Sequence, residues 1–136
     1  MSLFVLDASV ALAWCFRDEA TPETDALAVR ANSGGFVVPP LWHLEVANIL
    51  VGSERRGRAT PLQVQSAFAL LEKFKVETDE RGGDRLSDAI GLARHHRLTV
   101  YDATYLELAI RRNAPLATLD KALVTAARQV GLTVLP

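Results

Sequence analysis

Phe4-Val5-Leu6-Asp7-Ala8-Ser9-Val10-Ala11-Leu12 decides the fold class. A short apolar run ends on a carboxylate, and small and apolar residues follow at helical spacing. The stretch reads as a buried strand over Leu3 to Leu6 that passes directly into a helix from about Ser9 to Phe16. A carboxylate at the mouth of a buried strand is costly unless a cation or hydrogen-bond donors compensate it. The same juncture recurs along the chain. Phe36-Val37-Val38 is a second strand ended by Pro39-Pro40, before a helix from Leu41 to about Arg56 that stops at Gly57. Leu98 to Tyr101 reads as a strand running into Asp102, and Leu116-Ala117 as one running into Thr118-Leu119-Asp120.

The intervening segments are helical. Thr21-Pro22 and Thr60-Pro61 each place a capping hydroxyl before a proline, starting helices to about Ala31 and Phe74. Asn32 to Gly35 reads as a turn and Lys75 to Thr78 as a third strand. Gly82-Gly83 breaks the chain, and Asp84 is placed to cap a helix ending near His96. Another helix runs from Asp102 or Ala103 to Arg112. A last one covers Leu119 to Val130, closed by Gly131, and Leu132 to Leu135 ends the chain as a strand. Short strands alternating with amphipathic helices predict an α/β fold. The expected architecture is a three-layer sandwich, with a mostly parallel sheet of about five strands and helices on both faces. The 136 residues are enough for one domain, residues 1–136, with a continuous core.

Composition excludes several classes. The formal net charge of −1 gives no bulk attraction for nucleic acid, so any such contact must use local patches. The single cysteine, Cys15, has no internal disulfide partner, which fits a reduced, cytoplasmic protein. No segment reads as a signal peptide or as the roughly 20 apolar residues of a spanning helix.

Right-handed crossovers place the C-terminal ends of parallel strands on one edge, where ligands bind at the point of strand-order reversal. Asp7, Asp102 and Asp120 then share that edge. Glu45 lies one turn into the helix after the second strand, on a stripe with Leu41, Asn48 and Ile49 that points it the same way. Each aspartate alone reads equally well as a helix cap. Glu45 does not, because no Lys or Arg lies one turn away on its face.

Four uncompensated carboxylates raise one another's proton affinity, and a divalent cation removes the conflict. All-oxygen ligation without Cys or His at zinc spacing suits Mg²⁺ or Mn²⁺. Two such ions, about 3.5–4 Å apart, support in-line displacement at phosphodiesters. Phosphodiester cleavage is therefore the expected chemistry. Ser9 and Thr118 stand beside these acids in sequence and are candidates to orient a carboxylate or touch a phosphate, and Asn48 is a further candidate next to Glu45.

Asp7-Ala8-Ser9-Val10-Ala11-Leu12, Glu45-Val46-Ala47-Asn48-Ile49-Leu50, Tyr101-Asp102-Ala103-Thr104-Tyr105-Leu106 and Ala117-Thr118-Leu119-Asp120 together resemble the four blocks of PIN domains. The likeness is closest to the VapC toxins of toxin–antitoxin pairs, and it covers nearly the whole chain in the family's order. The resemblance implies a Mg²⁺- or Mn²⁺-dependent endoribonuclease with Asp7, Glu45, Asp102 and Asp120 as catalytic and metal-binding residues. It also implies a homodimer, and a cognate antitoxin assembling with it into a heterotetramer or larger. Many relatives carry a further acid just past the fourth block, where this chain has Ala122, Leu123 and Val124, which leaves one or two ions open.

Two other readings compete. A receiver-type phosphoacceptor needs adjacent acids after the first strand, and here Ala8 follows Asp7. A catalytically silent interaction module keeps the fold without the chemistry. Among basic groups, Arg55, Arg56 and Arg58, Arg94 to Arg97, and Arg111-Arg112 are favoured at helix C-termini by the dipole. Adjacent His95 and His96 are expected on the edge opposite the acids. Trp14, Phe16 and Trp42 are expected in the core, with an antitoxin groove as the alternative. Leu62 to Phe74 is a candidate dimer helix.

Overall fold

The computed structural model describes residues 3–136. Five parallel strands form one sheet in the order β3-β2-β1-β4-β5. They are β1 (Val5–Leu6), β2 (Phe36–Val38), β3 (Val76–Thr78), β4 (Leu116–Ala117) and β5 (Val134–Leu135). Seven helices connect them: α1 (Ala8–Cys15), α2 (Pro22–Gly34), α3 (Pro40–Arg55), α4 (Pro61–Glu72), α5 (Leu86–His96), α6 (Val100–Arg112) and α7 (Lys121–Gln129). The order steps outward from β1 through β2 to β3, then returns past β1 to β4. Right-handed crossovers therefore place α1 to α4 on one face and α5 to α7 on the other. The reversal falls between β1 and β4, which pair Val5 with Leu116 and Leu6 with Ala117.

The apolar runs explain the core. Phe4, Val5, Leu6, Phe36, Val37, Val38 and Leu116 are fully buried, as strands covered on both faces require. The Phe36 ring meets Phe4, Trp14, Trp42 and Phe74 at centroid distances of 5.7–6.2 Å. Trp14 and Trp42 are thus core residues, and Trp14 donates its indole N–H to the Thr24 carbonyl at 2.8 Å. Phe16 lies beneath the Arg58 guanidinium, 4.6 Å from ring centroid to Cζ.

Both threonine–proline starts form capping boxes, Thr21 with Thr24 and Thr60 with Gln63. Helix α2 runs three residues past the expected end, so Asn32 to Gly34 is helical and the break comes at Gly35. Gly35 has φ +76°, and a Cβ there would lie 2.4 Å from the Lys75 carbonyl oxygen. Glycine is required at that approach.

Two expectations fail. Leu98 to Tyr101 is not a strand. Thr99 caps α6, accepting from the Asp102 N–H at 3.0 Å, and Val100 and Tyr101 turn outward in its first turn. Four apolar and β-branched residues fit a strand or a helix start equally, and the cap decides. Asp102 therefore begins a helix and does not follow a strand. Asp84 does not cap α5 either: residues Gly82–Arg85 form a 3₁₀ turn that feeds the helix directly. His95 and His96 nonetheless lie away from the acids, because His96 Nδ1 bonds Gln129 Oε1 at 3.0 Å, at the end of α7 remote from Asp120.

Candidate active site

At the reversal between β1 and β4 the chain gathers its uncompensated acids. Asp7 leaves β1 as the N-cap of α1, and Oδ1 accepts from the Ala8 N–H at 2.8 Å. Oδ2 accepts from two hydroxyls, Ser9 Oγ and Thr118 Oγ1, each at 2.8 Å. Each hydroxyl is fixed in turn: Ser9 Oγ accepts from the Leu119 N–H and Thr118 Oγ1 from the Asp120 N–H, both at 3.0 Å. This closed net joins the end of β1 to the end of β4. Three of the four lone-pair positions of Asp7 are filled, leaving one for a ligand.

Asp120 caps α7, with Oδ1 accepting from the Leu123 N–H at 2.9 Å. Glu45, on the α3 stripe, accepts a 2.5 Å hydrogen bond from the Tyr105 hydroxyl. Tyr105 stands one turn after Asp102 on α6 and is fully buried. Asn48 is exposed on the same α3 stripe and touches none of the carboxylates through a hydrogen bond.

The four acids act on one another electrostatically. Burial pushes the Asp7 carboxyl above its ordinary range, against the donors Thr118, Ser9 and Ala8, with Asp120 adding repulsion. Burial likewise raises Glu45, opposed by Tyr105 and reinforced by Asp7 and Asp102. Asp102 is raised by burial and by Asp120 and Asp7. Tyr105 is held firmly protonated, first by burial and then by Glu45, which keeps its hydroxyl a donor to Glu45.

The contrast with the other buried acids is direct. Asp79 and Glu107 both pair with Arg111, at 2.8 and 2.9 Å. Among the described residues Asp7, Glu45, Asp102 and Asp120 enter no ion pair. Nor do any three His, Cys, Asp or Glu side chains among the described residues already stand grouped to hold one ion. Like charges spread, each turned to its own donor, and a cation is what would draw them together. The donor set, oxygen only and without lysine or arginine, fits a hard divalent ion.

Tyr105 was not singled out in the sequence. The available signal was its placement three residues after Asp102 in an apolar run, since a buried tyrosine hydroxyl needs a partner. Tyr105→Phe removes the only donor to Glu45 named above. The expected result is a folded protein whose Mn²⁺ affinity, read by electron paramagnetic resonance, falls about 10- to 100-fold. Part of the basic clusters is committed elsewhere: Arg58 to Asp18 and Glu19, Arg111 to Asp79 and Glu107, and Arg112 to Glu77 and Asp79.

Comparison with known proteins assigns the family and the fold. The family model for the PIN domain matches residues 4–129. Ribonuclease VapC3 of Pyrobaculum aerophilum is 33% identical over 123 residues, which cover 88% of this chain and 90% of that protein. The crystal structure of PAE2754 from Pyrobaculum aerophilum superposes with TM-score 0.68 at 22% identity, covering 97% of this chain and 88% of the other. VapBC2 from Rickettsia felis, solved bound to a DNA fragment from their promoter, gives TM-score 0.70 at 13% identity, covering 98% and 97%. A family match over nearly the whole chain, a sequence relative of almost equal length and two structures sharing the fold converge on one assignment: the chain belongs to the PIN domain family.

Proposed function

We propose that the protein is a divalent-metal-dependent endoribonuclease, the toxin of a toxin–antitoxin pair. The observation that carries this reading is the set of four acids from four segments, none in an ion pair among the described residues, with Asp7, Glu45 and Asp102 raised by burial and by neighbouring carboxylates. The likeness to Ribonuclease VapC3 supports RNA as substrate. The fold shared with VapBC2 supports an antitoxin partner, and a homodimer, a higher assembly with the antitoxin and a cytoplasmic location complete the proposal. No helix among the described residues is long and apolar enough to cross a membrane.

In this reading Asp7, Glu45, Asp102 and Asp120 hold Mg²⁺ or Mn²⁺. When bound, such an ion would supply positive charge at the phosphate and make a water more acidic. Ser9 and Thr118 lock the Asp7 carboxylate in one orientation, Tyr105 does so for Glu45, and the Leu123 N–H does so for Asp120. Held this way, the acids keep their geometry as substrate arrives. Purified protein is expected to cleave single-stranded RNA with Mg²⁺ or Mn²⁺ and to stop in chelator. Cleavage that persists in chelator refutes the metal role, and intact RNA across a broad transcript pool favours the silent module.

The raised carboxyls also set a pH signature. A group that binds its proton more tightly folded than unfolded stabilises the fold at low pH, and loses that contribution as pH rises through and beyond the ordinary carboxylate range. Glu45→Gln keeps an acceptor for Tyr105 but cannot ionise. In chelator, its melting temperature is expected to gain on the wild type between about pH 4 and pH 7. Millimolar Mn²⁺ should reverse that gap at pH 7, because only the wild type retains all four ligands.

A further inference from the structure

Beside the acids lies a groove that the cleavage chemistry does not use. Leu41, Leu44, Glu45 and Asn48 lie at spacings of three, one and three residues, forming one stripe of α3. Tyr101, in the first turn of α6, completes the lining of an open pocket of about 390 Å³. Tyr101 and Leu44 are 62% and 73% exposed, although both are large apolar side chains. Neither the Tyr101 hydroxyl nor the Asn48 amide is engaged among the described residues. The pocket shares Glu45 with the site, and Tyr101 is the residue before Asp102.

We infer that this groove is a nucleobase subsite of the bound RNA, a step that rests on the ribonuclease reading. Whatever fills it must be continuous with the group held by the acids, because Glu45 belongs to both. A flat aromatic face and an aliphatic wall suit the face of an unpaired base, on which single-stranded RNA is commonly recognised. The free Asn48 amide offers one acceptor and two donors to a base edge. Phosphates are repelled by the surrounding carboxylates unless a cation is bound, so an apolar contact to the base supplies attraction that the net charge of −1 does not. Tyr101 is the stacking platform and Asn48 the edge reader.

The test measures binding with Ca²⁺ replacing Mg²⁺ or Mn²⁺, probe length being checked afterwards to separate binding from cleavage, by fluorescence anisotropy with ten-nucleotide homopolymers of A, C, G and U. An abasic ten-mer with the same phosphates serves as the reference. Tyr101→Ala is expected to weaken the best homopolymer about 5- to 150-fold, with no change on the abasic strand. Tyr101→Phe should stay within about twofold of wild type, because stacking needs the ring and not the hydroxyl. Asn48→Ala should narrow the spread among the four homopolymers. The inference is overturned if Tyr101→Ala binds all strands as the wild type does, or weakens the abasic strand equally. It is also overturned if Tyr101→Ala changes only the dimer equilibrium in sedimentation, which would assign the surface to a second copy. Base-dependent binding by a wild type that cleaves no RNA would retire the nuclease reading and leave the subsite standing.

Discussion

Asp7→Asn is expected to reduce metal-dependent RNA cleavage by at least about 100-fold, taking as a floor the effect of losing a group that merely orients a ligand. The site predicts a larger loss than for any other single change, because Asp7 is where the halves of the sheet meet. Its Oδ2 joins Ser9 at the start of α1 to Thr118 at the end of β4. Asparagine keeps the size and one acceptor but places an amide where a carboxylate oxygen faces two hydroxyls. Both hydroxyls already accept a backbone N–H, so turning to accept another donor costs them their bond to residue 7. Initial rates on RNA with saturating Mn²⁺ measure the effect. Circular dichroism confirms that the fold survives, as it should once a desolvated charge has been removed. A variant that cleaves within tenfold of the wild type would remove Asp7 from the chemistry.

The largest effect on stability is expected at Arg111, remote from that chemistry. Asp79 follows β3 and Glu107 lies on α6, at 5% and 6% exposure, and one guanidinium serves both. Arg111 donates to Asp79 through two nitrogens, at 3.1 and 2.8 Å, and to Glu107 at 2.9 and 3.0 Å. The two-pronged geometry lowers the Asp79 carboxyl below its ordinary value. Arg111→Met leaves two buried carboxylates without this cation. The expected cost is about 3 kcal/mol, the lower end for a broken buried pair because the Arg111 side chain keeps 17% exposure. For a chain of this size that lowers the melting temperature by roughly 10 °C. The triple change Arg111→Met, Asp79→Asn, Glu107→Gln should recover part of the loss, since no charge is then stranded. Equal melting of Arg111→Met and wild type would show that water already screens the cluster.

Both results bear on what the chain itself announces. The junctions after β1 and β4 are legible because a short buried run leading into Asp before a helical pattern has few other readings, and the threonine–proline starts carry their own capping chemistry. The segment Leu98 to Tyr101 is not legible in the same way. Its local pattern fits two structures, and the deciding bond, Thr99 to the Asp102 N–H, is a single side-chain contact. Setting Asp7 beside Asp120 needed only topology, which adjacency rules constrain strongly, whereas Glu45 was placed by helix periodicity and Asp102 by a strand that is the start of a helix. The partners of each acid were less accessible. Thr118 reads as the neighbour of Asp120, yet its hydroxyl donates to Asp7, 111 residues away. Tyr105 reaches Glu45 across 60 residues and two helices, a pairing that no local pattern encodes. Thus the location of the site follows from alternation of strand and helix, whereas its internal order follows from long-range hydrogen bonds.

The most direct measurement is anomalous diffraction from a crystal grown with manganese. One or two peaks bounded by Asp7, Glu45, Asp102 and Asp120 are expected, with Tyr105 still donating to Glu45. Manganese bound only at other acids, with these four carboxylates unchanged, would contradict the metal role.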